Sequence, residues 1–182
     1  MKHKYAFFLA FLSLLLVLGS CSNKVLYTRE IRSNLIDNQL KEFEVQYYNS
    51  GKIVLKRNLT YAETQIARGQ IKLENGQYVE EIVIKKNTPG IAVNQGKDFL
   101  NVSFESGENR DLIFKCNPDG YYQVSALSWR DKYGKVNYDT TVYYMSAASG
   151  KALLSVEKDY VSKYQKQKRI LKGRTVSSGY EQ

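Results

Sequence analysis

Apolar and polar residues alternate with a period of two along most of the chain. In Phe43-Glu44-Val45-Gln46-Tyr47 the odd positions share one face and Glu44 and Gln46 take the other, as in a half-buried strand. Asn49-Ser50-Gly51 breaks that run before residues 52–56, which reads as a hairpin. Ile71 and Leu73 lead into Asn75-Gly76, and residues 77–84 follow. Asn-Gly between alternating runs marks a type I′ turn, because both central residues need positive φ. Thr88-Pro89-Gly90 fits a type II turn and Asn117-Pro118-Asp119-Gly120 a type I turn. Between them, residues 100–104 and 112–116 read as paired strands around Ser106-Gly107-Glu108-Asn109. Residues 124–126, an alternating run over 136–144 and residues 153–156 complete the set. About eight or nine short strands predict a mainly β fold, an antiparallel sandwich or a small barrel. Helix is scarce. Ile31/Leu35 and Ile36/Leu40 place a short helix at Thr28–Asp37, and Val161, Tyr164, Lys168 and Leu171 outline a basic amphipathic helix over 158–172.

The first twenty residues break this pattern. Lys2 and Lys4 open a basic start, residues 6–18 are apolar except Ser13, and Gly19-Ser20 precede Cys21. A charged start, a short apolar core and small residues at a cleavage site describe an export signal. Thirteen residues span about 20 Å as a helix, short of a hydrocarbon core of about 30 Å. Leu18-Gly19-Ser20-Cys21 in this position resembles the lipobox of bacterial lipoproteins. The resemblance implies cleavage before Cys21, lipid on its thiol, and a membrane-attached chain that does not span. The organisation expected is a signal at 1–20, a lipidated Cys21 with a tether over 21–27, a β domain over 28–157 and a basic segment over 158–182. In lipoproteins of enteric bacteria an Asp after the Cys favours inner-membrane retention, so by this resemblance Ser22 implies the outer membrane. The absence of an acidic cluster in Ser22-Asn23-Lys24-Val25 points to its periplasmic face.

Cleavage changes the chemistry on offer. His3 is the only histidine, so the mature chain has no imidazole for acid–base or metal chemistry. Cys116 becomes the only unmodified thiol; it alternates with Leu112 and Phe114 and is expected in the core. No metal site is expected, and no cofactor beyond the lipid. Charge is uneven: residues 22–157 carry a net +2, whereas 158–182 carry +5. Export argues against nucleic acid, leaving anionic lipid headgroups or an acidic partner for that segment.

Tyrosine occurs in doublets, Tyr47-Tyr48, Tyr121-Tyr122 and Tyr143-Tyr144, and alternation turns one member of each outward. Tyr48, Tyr121, Tyr143 and Trp129, with Lys163, Lys166, Lys168 and Arg169, are the candidate partner-binding residues. Catalytic candidates are sparse. Glu80-Glu81 point to opposite faces of a strand, Asp131 and Asp139 flank Tyr133-Gly134-Lys135, and serine and lysine are plentiful but unordered by any motif. The expectation is a non-enzymatic lipoprotein acting as a binding or assembly subunit among other envelope proteins. A glycan- or peptidoglycan-binding lipoprotein is the alternative, with a Ser-Lys or carboxylate hydrolase behind it. A small β domain on a lipid anchor resembles, in architecture alone, the outer-membrane lipoproteins of trans-envelope secretion machines such as type VI systems.

Overall fold

The computed structural model describes residues 23–66 and 71–165. Cys21, Lys166, Lys168 and Arg169 lie outside those residues, as does the segment 1–20 expected to be an export signal.

The fold is mainly β, two antiparallel sheets sharing one core. Thirteen strands are described. Sheet one has the order β1 (Lys24–Leu26), β13 (Leu154–Glu157), β2 (Gln46–Asn49), β6 (Pro89–Gly96), β7 (Phe99–Ser103), β8 (Asp111–Cys116) and β9 (Tyr122–Val124). Sheet two runs β10 (Ser128–Arg130), β11 (Tyr133–Tyr138), β12 (Thr141–Ser146), β3 (Ile53–Asn58), β5 (Gln77–Ile84) and β4 (Ile71–Glu74). The two ends of sheet one also meet. Tyr122 N–H donates to the Tyr27 carbonyl at 3.3 Å, Val124 N–H to that of Ala152 at 2.9 Å, and Gln123 bridges Leu153. The architecture therefore combines a sandwich with one sheet curled on itself, and both alternatives read from the alternation have a counterpart.

The expected turns are met in part. Asn75 and Gly76 have φ of 49° and 77°, the two positive values that a type I′ turn needs, and they join β4 to β5. Gly120 N–H closes the 117–120 turn on the Asn117 carbonyl at 2.9 Å. Asn49-Ser50-Gly51 does not form a hairpin: β2 pairs with β13 and β6 while β3 pairs with β12 and β5, so this turn carries the chain between sheets. Pro89 opens β6 instead of turning, and the turn lies one step earlier, with Thr88 N–H on the Lys85 carbonyl and Asn87 at φ 64°. Phe43 falls in a 3₁₀ turn (Glu42–Glu44) and is 49% exposed, whereas Val45 and Tyr47 enter the core.

Helix α1 (Arg29–Asp37) is capped by Thr28, whose hydroxyl accepts the Ile31 N–H at 3.2 Å. Its Leu35 is buried, and so is Arg32. Arg32 donates to Glu42, to the Lys97 and Gly96 carbonyls at 2.7 and 2.6 Å, and to the Tyr122 hydroxyl at 2.7 Å. A buried guanidinium needs this density of acceptors to offset its lost hydration. Helix α2 (Tyr61–Ile66) opens with a capping box in which Glu63 accepts the Thr60 N–H at 2.8 Å. That bond and the Arg57 guanidinium hold the Glu63 carboxyl down at about 2. Helix α3 (Lys158–Gln165) packs on α1, and its Val161 is 6% exposed, so it belongs to the packed domain.

The domain also starts earlier than residue 28. Lys24–Leu26 pairs with β13 and Tyr27 is wholly buried, its ring 5.1 Å from Tyr47 and 5.2 Å from Tyr122. Cys116 is half-buried and packs against the core. Among the described residues, no helix is long and apolar enough to cross a membrane, and no group of His, Cys, Asp and Glu is placed to hold a metal.

Candidate functional site

The candidate residues chosen from the doublets do not converge. Tyr47 and Tyr122 are the inward members of their pairs, fully buried. Tyr48 turns outward, but Lys24 sits 4.2 Å above its ring and its hydroxyl donates to Glu157 at 2.9 Å. Those contacts tie β1 and β13 to β2. Tyr121 is half-buried in the turn before β9 and bridges Thr28. Trp129 is 47% exposed, with its indole laid against two glycines: a Cβ on Gly150 would stand 2.5 Å from the ring, and one on Gly134 3.0 Å. Lys163 is exposed on α3.

Tyr143 is a correction. It is 4% exposed, and burial together with its hydrogen bond to Glu80 raises its hydroxyl above the ordinary pKa. Its neighbour Tyr144, 48% exposed, is the outward member. The reason lies in the turn. The run 136–144 is not one strand but β11 and β12 joined by Asp139 and Thr140, both at positive φ (48° and 63°). Residues opposite one another in a hairpin share a face. With Tyr138 opposite Thr141 and Val136 opposite Tyr143, the inward phase passes from even to odd numbers. The next turn is likewise displaced: Asp131-Lys132 links β10 to β11, and Tyr133-Gly134-Lys135 lies within β11.

Correcting the phase brings a different group together on the outer face of sheet two. One row across the strands reads Ser128, Lys135, Tyr144, Lys56 and Glu81. The next begins Arg130, Tyr133 and Ser146. These side chains line an open trough of about 1200 Å³. Tyr133 is 61% exposed and Val142, beside them, 37%. Neighbouring strands lie about 4.8 Å apart and alternate residues about 6.8 Å, so the Cα atoms of Tyr133 and Tyr144 are about 8 Å apart on the diagonal.

The cations of the trough fall into two classes. Lys56 is bonded to Glu74 at 2.8 Å, which raises its pKa, and Arg57 is bonded to Glu63 at 2.7 Å and Glu80 at 2.5 Å. Arg130, Lys135 and Lys52, the last just before β3, are exposed and, among the described residues, have no side-chain partner; the exposed Asp131 carboxylate lies in the same lining. Two open cations therefore flank two open aromatic rings. Such a surface can bind, by stacking and by charge, with little of its capacity already spent within the fold.

The groups weighed as catalysts are spread differently. Glu80 faces inward with Arg57 and Tyr143 while Glu81 faces the trough. Asp139 is held by Arg110 at 2.9 Å. The buried serines are bonded to the backbone: Ser103 donates to the Glu105 and Arg110 carbonyls, Ser155 to that of Tyr48, and Ser149 accepts the Val54 N–H.

No protein-family model, curated protein or solved structure matches the chain.

Proposed function

We propose that this chain is a non-enzymatic, lipid-anchored lipoprotein of the outer membrane's periplasmic face, acting as a binding or assembly subunit of the bacterial envelope. The observation that carries this reading is the trough on sheet two, where exposed Tyr133 and Tyr144 stand beside Arg130 and Lys135, which have no side-chain partner among the described residues. The lipid attachment rests on the Leu18–Cys21 motif. Its placement would leave the trough open, because the strand nearest Cys21 is β1, at the edge of sheet one. Only Ser22 and Asn23 separate Cys21 from β1, at most about 7 Å of extended chain, so the domain would be held against its membrane.

A second reading, a glycan- or peptidoglycan-binding lipoprotein, is favoured by one specific feature: the rings of Tyr133 and Tyr144 are presented on a sheet face instead of within an apolar patch. It is the form of the first reading in which the ligand is the wall. The test is affinity capture from detergent-solubilised membranes after mild crosslinking, comparing the native chain with the Tyr133→Ala/Tyr144→Ala variant. Envelope proteins or wall fragments recovered with the native chain and lost with the variant support the trough as the recognition surface. Equal recovery with both removes it.

A further inference from the structure

Resting on the trough as the recognition surface, we infer that its occupant is peptidoglycan, a strand of N-acetylated sugars whose side peptides end in carboxylates. Two kinds of group meet there in a fixed order. Tyr144 lies directly across from Lys135, and Tyr133 directly across from Arg130, so each ring has a cation beside it in the same row. Sugar rings offer C–H faces that pack on tyrosine, and carboxylates seek guanidinium and ammonium groups. A ligand that presents both, with rings repeating along a chain and acids branching from it, matches this alternation. A run of carboxylates alone would use the cations and leave the tyrosines idle. A neutral glycan would do the reverse.

The shape agrees. The trough is open and crosses several strands, which suits a polymer passing through more than a small molecule enclosed on all sides. Both cations beside the rings lack a side-chain partner among the described residues, as does Lys52 elsewhere in the trough; Lys56 and Arg57 are held by Glu74, Glu63 and Glu80.

The experiment separates rings from charge. Binding of the mature chain, with Cys21→Ser so that it stays in solution, is measured by calorimetry against four probes. These are soluble uncrosslinked peptidoglycan strands, the same strands stripped of their peptides, the free stem peptide, and poly-glutamate. The intact strand should bind most tightly. Tyr144→Ala or Tyr133→Ala should weaken it about tenfold, and Tyr144→Phe should not. Arg130→Gln/Lys135→Gln should weaken the intact strand about fivefold, leave the stripped strand unchanged, and reduce the salt dependence. All four positions are exposed, and each variant is checked for an unchanged melting curve. Poly-glutamate bound as tightly as the intact strand, with no effect of the tyrosine variants, would overturn the inference in favour of an acidic protein. So would no binding of the intact strand. Either result leaves the trough as a binding surface if capture from membranes still depends on Tyr133 and Tyr144. If that dependence is missing as well, both readings fall.

Discussion

Single residues here act mostly by what they displace. Gly150 and Gly134 leave room for the Trp129 indole, and the Cβ of an alanine at Gly150 would lie 2.5 Å from that ring, closer than any real contact. Something must shift, and the shift must involve the ring or the 3₁₀ turn Ser149–Lys151 that carries the glycine. Gly150→Ala is therefore expected to lower stability by about 1–3 kcal/mol, the range for overpacking. It should also move the emission of the single tryptophan to the red as the indole lifts into water. An unchanged spectrum would mean the indole does not rest on Gly150. From the sequence alone Trp129 reads as an exposed recognition group. The structure shows half of it doing structural work, which no local pattern announces, because its glycine neighbours are distant in the chain.

At the scale of elements, turns decide which residues reach the surface. The Asp139-Thr140 turn needs two left-handed residues, and a β-branched threonine at φ 63° is strained there. Thr140→Gly, giving the Asp-Gly pair that such turns prefer, should raise stability by about 1 kcal/mol, read from the denaturation midpoint. A loss would indicate that the Thr140 hydroxyl bond to the Asp139 carbonyl outweighs the backbone strain. The same turn explains what was legible. The β class, the 75–76 turn, the β7–β8 pair and the short helix at Thr28–Asp37 follow from local alternation and periodicity, and each is found, the helix as Arg29–Asp37. The trough was missed because Asp-Thr is a poor turn signal. Without a turn between Tyr138 and Thr141, alternation runs straight on. Val142 and Tyr144 then share the inward face with Val136 and Tyr138, and Tyr143 faces out. Likewise no periodicity tells a hairpin at Asn49–Gly51 from a crossing between sheets, since sheet membership depends on partners elsewhere in the chain.

The whole molecule joins its two ends. β1 pairs with β13, Lys24 stands opposite Glu157, and the Lys158 N–H donates to the Asn23 carbonyl at 2.8 Å. Residues 23–26, next to the proposed lipid site at Cys21, therefore meet the start of α3. Under the proposed function, the basic residues of 158–182 would add a second membrane signal to the lipid, at about 1 kcal/mol per Lys or Arg near an anionic surface. This sets where the chain can be cut. Removing residues 158–182 strips the buried Val161 and the Lys158–Asn23 bond and should lower the melting temperature, since one buried valine contributes about 1.5–3 kcal/mol. Removing 166–182 keeps Val161 and the Lys158–Asn23 bond and should reduce the salt-sensitive part of binding to anionic vesicles. Cys21→Ser should release the full-length protein from membranes at high salt, where only the acyl chains would hold it. Retention of that variant at high salt would count against the lipid anchor. Equal vesicle binding by both forms of the C-terminus would leave the acyl chains as the only attachment.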